Sequence, residues 1–299
     1  MVDIVGKKWY FIALSIAIIL CGIIFASVRG MPWGIDFTGG TVLTVEYEQV
    51  VERDAVKSEL SAMGHDKAII QDRGENGFII RTVELSGEEQ NQLMDSLGQL
   101  AAITSFSFDS VSDPVSKEKA RGAIIAVVVA AAGILLYIAF AFRRLPKPFR
   151  YGTCAVIALI HDVAIAVAVF AIIGSALNLK VDLMFITGIL TVVGYSVNDT
   201  IVVFDRIREN LGKGSRLDFG TLVNNSLIQT LTRSLTTSIT TIIVLVSVYL
   251  FVGEAIESFM LVLIVGVISG TYSSIFIASQ ALVLWETGGF KRLIRKPAW

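Results

Sequence analysis

Six long apolar runs constrain this 299-residue chain more than any other feature of its sequence. A membrane-spanning helix needs roughly 20 predominantly apolar residues, and each run has about that length or more. The runs cover residues 9–28, 122–142, 151–173, 183–204, 227–251 and 258–285. A mean hydropathy of +0.70 and a hydrophobic fraction of 54% agree with a chain that crosses a membrane several times. The first run is too long for the usual signal-peptide core of ~7–15 apolar residues, so we predict an uncleaved anchor.

The basic residues beside these runs predict how the chain is oriented. The link between the second and third runs carries four bases and no acid, and bases also precede the first run and follow the sixth. They are Lys7 and Lys8, then Arg143, Arg144, Lys147 and Arg150, then Lys291, Arg292, Arg295 and Lys296. Because cytoplasmic loops are enriched in Lys and Arg, we predict that both termini are cytoplasmic. A weaker counter-signal comes from Lys117, Lys119 and Arg121.

These features divide the chain into four predicted segments. The N-terminus and first span occupy residues 1–29, and an extracytoplasmic domain occupies residues 30–120. A bundle of five spans follows at residues 121–286, and a basic cytoplasmic tail at residues 287–299. Residues 31–116 contain 15 acids and 5 bases, whereas the whole chain has a net charge of −1. We interpret this acidity as a solvated surface, with a docking face for a basic partner as the alternative.

The extracytoplasmic segment has the pattern of a small α+β domain. Alternating apolar residues predict strands at 41–47, 68–71, 78–83 and 105–111, and helical spacing covers 52–63. A second helix is predicted to begin after Ser86, with Glu89 at the spacing of a capping box. The order βαββαβ is that of a ferredoxin-like domain. The predicted fold is therefore a six-helix polytopic membrane protein with this α+β domain between helices one and two.

The sequence Gly34-Ile35-Asp36-Phe37-Thr38-Gly39-Gly40 joins the first span to the first strand. Gly39 and Gly40 can adopt positive φ where the chain turns. Asp36 is expected to cap or brace that turn, and a direct chemical role for it would need a partner that the sequence does not identify. We treat Gly34, Asp36, Gly39 and Gly40 as a candidate coupling hinge.

Four ionisable residues fall within the apolar runs: His161, Asp162, Asp199 and Arg233. Such residues are costly in a membrane and by default indicate a functional site. Asp199 lies six residues before Asp205, and Arg233 lies six residues after Leu227 on the next, antiparallel span. The two charges should therefore lie at similar depth, and we predict that they form an ion pair.

Helical spacing also predicts hydroxyl-bearing stripes beside the two charges. One stripe contains Val192, Tyr195, Ser196 and Asp199, and the other contains Arg233, Thr236, Thr237 and Thr240. Together with Asn198 they suggest a polar seam between helices. The alternative is a polar clasp that only fixes helix packing. We favour a switchable proton on Asp199, because a buried ion pair is weak evidence for stability.

The remaining intramembrane features leave more than one interpretation open. His161 and Asp162 point about 100° apart on a helix, so we expect them not to pair tightly with each other, and either a structural or a proton-relay role fits them. Gly266 and Gly270 have the GxxxG spacing that permits close approach of helices. Cys21 and Cys154 lie within apolar runs, which indicates packing rather than a disulfide or a metal site.

Four motifs together suggest a family. They are GIDFTGG at 34–40, HDV at 161–163, GYSVNDTIVVFDRIREN at 194–210 and GTYSSI at 270–275. With them the chain resembles the SecF family, the smaller partners of SecD in bacterial protein export and members of the resistance-nodulation-division superfamily. The resemblance implies a multi-pass subunit of the bacterial plasma (inner) membrane, one half of a transporter of the resistance-nodulation-division type, that uses the proton-motive force to promote preprotein export.

The resemblance also implies partners and site residues. SecD would form a heterodimer with the chain and contribute a further carboxylate, and SecYEG, YajC, the translocating preprotein, protons and membrane lipid would be further partners. The proton-coupling residues of the family fall on Asp199, in VND, and Arg233, in LTRSL. We hypothesise that a proton entering from outside neutralises Asp199, frees Arg233 and allows helices four to six to repack, and that the hinge conveys this movement to the acidic domain.

Three other functions were weighed. A proton-driven transporter of lipid or a small molecule usually carries two repeats in one chain, whereas this chain carries one, and a purely structural subunit would not need its buried charges to titrate. An intramembrane aspartyl protease needs a Gly-x-Gly-Asp stretch, which flanks neither Asp162 nor Asp199. Residues 212–215 lack the upstream glycine of a phosphate-binding loop. We therefore expect no enzyme activity, cofactor, metal or nucleic-acid partner.

Overall fold

The computed structural model describes residues 3–145, 147–174, 176–177, 179–213, 217–251 and 256–288. The chain divides into two compact units, a membrane unit of Met1–Pro32 with Ile124–Trp299 and a soluble unit of Trp33–Ala123. The tail bases Lys291, Arg292, Arg295 and Lys296 lie outside the described residues, as do Gly214 and Ser215.

Six helices are long and apolar enough to span a membrane, which confirms the predicted number of spans. They are α1 (Lys8–Arg29), α5 (Asp113–Ala141), α6 (Pro148–Gly174), α7 (Leu183–Gly212), α8 (Phe219–Phe251) and the sixth span, Glu257–Glu286. The sixth span consists of α9 (Glu257–Ser273), a π-helical turn (Ser274–Ala278) and α10 (Ser279–Glu286).

Several of these helices extend beyond their apolar runs. Helix α5 begins at Asp113, nine residues before the run, and α7 continues eight residues past Phe204. A hydropathy run marks only the hydrocarbon part of a helix, whereas the backbone hydrogen bonds continue into its polar ends. At the start of α7 the Asp182 side chain accepts a hydrogen bond from the Phe185 amide at 2.8 Å, which caps the helix.

The membrane unit has a buried side and an exposed side. In the most apolar stretches of α7 and the sixth span, 50% and 61% of residues are buried, against 11% in α1, α5 and α8. Helix α7 packs against α6, α8 and α9, and α1 packs against α6. The most buried helices, α7 and the sixth span, can best protect a polar group from lipid, and Asp199 lies on α7.

The soluble unit has the predicted ferredoxin-like fold. Its regular elements are α2 (Ile35–Thr38), β1 (Gly40–Tyr47), α3 (Arg53–Ala62), β2 (Ile69–Arg73), β3 (Gly77–Thr82), α4 (Gly87–Gly98) and β4 (Ile103–Val111). The strands form one antiparallel sheet in the order β2-β3-β1-β4. The capping box expected before α4 is present, since Ser86 and Glu89 each bond the other's backbone N–H. These bonds lower the pKa of the Glu89 carboxyl.

One face of this sheet forms a hydrophobic core with α3 and α4. Leu43 and Val45 of β1 and Ile80 of β3 meet Leu60 and Leu93 of the helices, and all five are at most 1% exposed. Each such side chain contributes roughly 1.5–3 kcal/mol on burial. The same core buries Tyr47, and the loss of water raises the pKa of its phenol to about 12.

The glycine-rich segment before β1 is more ordered than a simple turn. Residues 35–38 form one helical turn, which the sequence analysis did not predict. Gly39 and Gly40 follow with φ of 70° and 107°, and a Cβ on Gly40 would lie 2.5 Å from the Thr82 carbonyl oxygen. Lys119 Nζ donates to Asp36 Oδ1 at 2.7 Å, so Asp36 braces this turn against the start of α5.

Candidate functional site

The most completely bonded polar group in the described part of the membrane unit is Asp162 on α6. Its Oδ2 accepts hydrogen bonds from Ser196 Oγ of α7 at 2.6 Å and from Ser273 Oγ of α9 at 2.8 Å. Its Oδ1 accepts one from Ser269 Oγ of α9 at 2.7 Å. The carboxylate is 1% exposed. Three serines from two neighbouring helices therefore converge on one buried acid.

His161 connects this group to α1. Its Nδ1 lies 3.2 Å from Asp162 Oδ1 and its Nε2 lies 2.9 Å from Ser15 Oγ. The expectation that the adjacent pair would not interact is wrong. Although their Cβ atoms point about 100° apart, the two side chains are long enough for their ends to meet. We call His161, Asp162 and the serines Ser15, Ser196, Ser269 and Ser273 the Asp162 cluster.

A fully ionised carboxylate can accept about four hydrogen bonds. Three serine hydroxyls lie 2.6 to 2.8 Å from its oxygens and a His161 ring nitrogen lies 3.2 Å away, while Ser273 Oγ also lies 3.2 Å from the Gly270 carbonyl oxygen. This arrangement satisfies Asp162 as an anion, and a proton added to it would displace one of its donors. The Asp162 cluster can thus hold α1, α6, α7 and α9 together without a change of protonation.

Asp199 on α7 is buried in a different environment. The side chain is 4% exposed, with Ser234 of α8 and Thr271 of α9 beside it. Asp199 Oδ2 and Ser234 Oγ are both buried, and among the described residues neither makes a hydrogen bond of good geometry, although Ser234 and Thr271 lie close enough to stabilise the carboxylate electrostatically. We call Asp199, Ser234 and Thr271 the Asp199 site. Its carboxylate has an unused acceptor position at which a proton or a water molecule can be held.

Arg233 does not pair directly with Asp199. The guanidinium lies on the exposed face of α8, and none of the ion pairs within 4 Å in the described ranges joins it to Asp199. It acts on the carboxylate through longer-range electrostatics. The predicted ion pair is therefore wrong for this chain alone. Ser234, the next residue, faces α7 instead, and adjacent positions on a helix point about 100° apart.

The predicted seam on α8 is displaced for the same reason. Thr236, Thr237 and Thr240 are exposed, whereas Ser234 and Ser238 are buried. Ser238 Oγ bonds Thr271 Oγ1, and Tyr195 of α7 reaches Ser238 Oγ at 3.5 Å. A polar seam between α7, α8 and α9 is thus present, but one residue away from the stripe that was predicted.

The other residues singled out from the sequence form no hydrogen bond with either carboxylate in the described structure. Asn198 is on the exposed face of α7. Gly266 and Gly270 lie where α9 meets α7, since a Cβ on Gly266 would come within 2.1 Å of Val192 and one on Gly270 within 2.8 Å of Ser196. Gly34, Asp36, Gly39 and Gly40 belong to the soluble unit described above.

Sequence reasoning missed the acceptor role of Asp162 and, apart from Ser196, the serines of its cluster. Ser15, Ser196, Ser269 and Ser273 lie between 34 and 146 residues from the group they contact, and no local pattern reports such a distance. The spacing of Ser269 and Ser273, one turn apart on a helix whose only charge is Glu257 at its first residue, is the signal that could have revealed them.

Chemically, Asp199 has a free acceptor position for a proton, whereas the acceptor positions of Asp162 are occupied by serine hydroxyls. Within the described ranges, no three His, Cys, Asp or Glu side chains are placed to bind a metal ion. The arrangement consists of one carboxylate whose acceptor positions are occupied, Asp162, one with a free acceptor position, Asp199, and the Arg233 guanidinium on the exposed face of α8.

Comparison with known proteins shows what kind of chain carries this arrangement. The family model of the protein export membrane protein SecD/SecF, C-terminal, matches residues 91–288, and that of the SecD/SecF GG motif matches residues 24–49. The chain belongs to the SecD/SecF family. The match confirms the resemblance drawn from GIDFTGG, HDV, GYSVNDTIVVFDRIREN and GTYSSI, and both buried carboxylates lie within it.

Individual relatives agree with the SecD/SecF assignment. The protein translocase subunit SecF of Thermobaculum terrenum is 42% identical over 99% of this chain and 98% of its own length. SecF of Anaerolinea thermophila is 38% identical over 100% of this chain and 98% of its length. SecF of Haemophilus influenzae is 37% identical over 89% and 80% of the two chains.

Solved structures of the SecD/SecF family give the same result. The chain resembles SecDF, a translocon-associated membrane protein from Thermus thermophilus, with a TM-score of 0.82 and 32% identity over 96% of its residues. It resembles SecDF in the super-membrane-facing form with a TM-score of 0.66 and 31% identity over 98%. The chain spans 39% and 40% of the length of those two chains.

Proposed function

We propose that this protein is a proton-driven subunit of the bacterial preprotein export machinery, acting with a SecD partner at the SecYEG channel. Membership of the SecD/SecF family supports a role in protein export. The observation that carries the proton-driven part is the buried Asp199 carboxylate with an unpartnered oxygen. In the proposed orientation the chain lies in the inner membrane with both termini in the cytoplasm.

Asp199 suits a proton-carrying role better than Asp162. Protonation of Asp162 would displace a serine or histidine donor from a saturated carboxylate. Protonation of Asp199 costs no protein hydrogen bond at Oδ2, because that oxygen has none among the described residues. A buried charge without partners is expensive, so the ionised and neutral forms of Asp199 favour different surroundings. That difference is what a proton-driven conformational change requires.

The exposed position of Arg233 supports a partner subunit. A cation on the outer face of a membrane helix is costly unless something covers it, and three threonines share this face of α8. The chain covers 39% of the SecDF chain it resembles. We infer that SecD covers the Arg233 face and supplies the carboxylate that the chain alone does not place beside it.

The proton gradient can supply the energy for such a cycle. One charge moving across the membrane potential releases about 2.3 kcal/mol per 100 mV, and each unit of pH difference adds about 1.4 kcal/mol. A few protons per cycle therefore suffice for a rearrangement of several kcal/mol. In this proposal the acidic soluble domain contacts the emerging preprotein, and the segment of Gly34, Asp36, Gly39 and Gly40 transmits the movement.

The test is export of a preprotein by cells in which Asp199→Asn replaces the normal subunit. We expect export stimulated by the proton gradient to fall at least ~10-fold, because an amide cannot take up and release a proton at neutral pH. Asp205→Asn is the matched control, since Asp205 is an exposed acid on the same helix that pairs with Arg208 at 2.7 Å. Co-purification of SecD with each variant would show that the variant subunit still assembles with SecD.

Two results would contradict the proposal. Normal export with Asp199→Asn would favour a purely structural subunit. A similar loss with Asp205→Asn would show that the effect does not depend on the buried position.

A further inference from the structure

The short link between α5 and α6 carries cations that have no counter-ion. Arg143, Arg144 and Lys147 lie between the two helices, and all three side chains are exposed. In the described ranges none of them forms an ion pair within 4 Å. Arg150, at the start of α6, differs because it pairs with Glu286 at 2.8 Å. Three positive charges within five residues are therefore left for an anion from outside the chain.

A buried aromatic cluster fixes the backbone of this link. Phe142 stacks on Tyr151 of α6 with ring centroids 5.6 Å apart, and both rings meet Phe204 of α7 edge-on at 6.2 and 5.5 Å. All three side chains are at most 3% exposed. The Leu145 amide donates to the Phe142 carbonyl oxygen at 2.9 Å. A fixed backbone lowers the ordering cost of binding, so the link is suited to hold a ligand.

The conformation of Lys147 also favours a binding site. Its φ is 62°, and no other residue except glycine has a positive φ in the described ranges. This conformation is uncommon for a residue with a Cβ, whereas glycine adopts it without strain. Such strain persists only where the surrounding structure imposes it, and it is concentrated at functional sites. A link that needed its bases only to orient the chain in the membrane could carry them at unstrained positions.

Exposed aromatic rings lie next to these cations. Phe140 in the last turn of α5 is 64% exposed, and Phe149 in the first turn of α6 is 61% exposed. The guanidinium carbon of Arg143 lies 4.3 Å from the centroid of the Phe140 ring. The ligand that matches both features has an anionic group for the bases and apolar chains for the rings. A free phosphate would leave the rings uncovered.

We propose that the α5–α6 link binds the headgroup phosphate of an anionic phospholipid. The phosphate contacts Arg143, Arg144 and Lys147. The acyl chains lie against Phe140 and Phe149. Arginine can bond a phosphate through two parallel N–H groups, and basic sites between membrane helices bind anionic headgroups. In the proposed orientation this lipid belongs to the cytoplasmic leaflet. The inference uses that orientation but no protonation step, so its failure would leave the proton-driven function standing.

The first test is lipid binding by the full chain purified in mild detergent, measured by native mass spectrometry. We expect saturable binding of phosphatidylglycerol, at least ~10-fold tighter than that of phosphatidylcholine. Arg143→Gln with Arg144→Gln should weaken phosphatidylglycerol binding about 25-fold, or about fivefold for each charge. Lys117→Gln with Arg121→Gln is the matched control, because it removes two exposed bases from the other end of α5, and it should leave the affinity unchanged. Equal losses in the two double variants would overturn the proposal.

The second test maps the contact without any substitution, so it does not depend on whether a variant folds. The complex with SecD is placed in phosphatidylcholine vesicles that contain a small fraction of phosphatidylglycerol with a photoreactive group beside its phosphate. We expect the label on peptides that cover residues 140–150. Label spread evenly over the lipid-exposed helices would contradict the proposal. Its absence from residues 140–150 would do the same and would assign the link to an acidic protein partner instead.

Discussion

Two buried carboxylates in this protein differ in how completely their surroundings satisfy them. Asp162 accepts from three serine hydroxyls and contacts His161, whereas Asp199 retains an oxygen without a partner among the described residues. Both are 4% exposed or less, so burial does not separate them. The two carboxylates differ in the number and geometry of the hydrogen-bond donors around them.

The difference indicates how one small bundle can combine rigidity with a switch. The hydrogen bonds of Asp162 connect α6, α7 and α9, and its neighbour His161 contacts Ser15 of α1. Asp199, whose carboxylate keeps a free acceptor position, lies on α7 beside Ser234 of α8, a helix with few buried residues in its apolar stretch. The first acid can keep its charge throughout a cycle, while the second can change its charge and alter how α8 packs.

The largest expected effect on stability comes from removing Asp162. Asp162→Leu should lower the free energy of unfolding by about 3–5 kcal/mol, because it leaves several buried polar groups without their acceptor. Asp199→Leu should change it by no more than about 1 kcal/mol, since no hydrogen bond to Oδ2 is lost. Unfolding of the purified protein in mild detergent measures both. Equal losses would remove the distinction between the two acids.

A smaller effect is expected from single hydroxyls. Ser269→Ala should cost about 1 kcal/mol, the typical net value of a hydrogen bond, because Ser269 donates to Asp162. Ser234→Ala, its matched control on the Asp199 side, should cost about half of that or less, since Ser234 Oγ has no partner in the described structure. The same unfolding measurement tests the pair, and a larger loss for Ser234→Ala would reverse the comparison.

The smallest effect concerns an unpartnered group outside the membrane. Tyr47 is 3% exposed in the soluble unit and its hydroxyl has no partner among the described residues. Tyr47→Phe should therefore stabilise this unit by about 1 kcal/mol at neutral pH. Hydrogen exchange of the β1 amides in the complete protein measures the change. Export should be unaffected, in contrast to the loss expected at Asp199.

Alkaline pH sharpens the Tyr47 prediction. The folded-state pKa of about 12 lies above the ordinary value of 10.0. The stability contributed by the neutral phenol is complete below pH 10 and is lost as the pH rises toward 12. The advantage of Tyr47→Phe over the natural residue should therefore grow across that interval, and a constant difference would show that the phenol is not buried in solution.

The fold could be predicted from the sequence because its signals are local. The alternation in β1, the spacing of Ser86 and Glu89 and the length of each apolar run depend on residues close together in the chain, and the structure contains these elements. The site depends on contacts between distant residues. The donors of Asp162 come from residues 34, 107 and 111 positions further along the chain, so the number of its hydrogen bonds was not visible in the sequence.

The error on α8 has a different cause. Residues 230–241 contain a serine or threonine at eight of twelve positions, so hydroxyls surround this part of the helix and do not distinguish one face. Choosing the face through Arg233 selected the exposed side, whereas the buried side follows Ser234 and Ser238. An arginine identifies the inner face of a membrane helix only when the whole assembly is considered.

Infrared difference spectroscopy of the complex with SecD in lipid, recorded as the pH is varied, tests the central claim most directly. It reports the carbonyl stretch of a protonated carboxyl group. We expect a titrating carboxyl band that disappears in Asp199→Asn and persists in Asp162→Asn. A band that persists in Asp199→Asn and disappears in Asp162→Asn would contradict the account, because it would identify Asp162, whose acceptor positions are occupied, as the residue that takes up the proton.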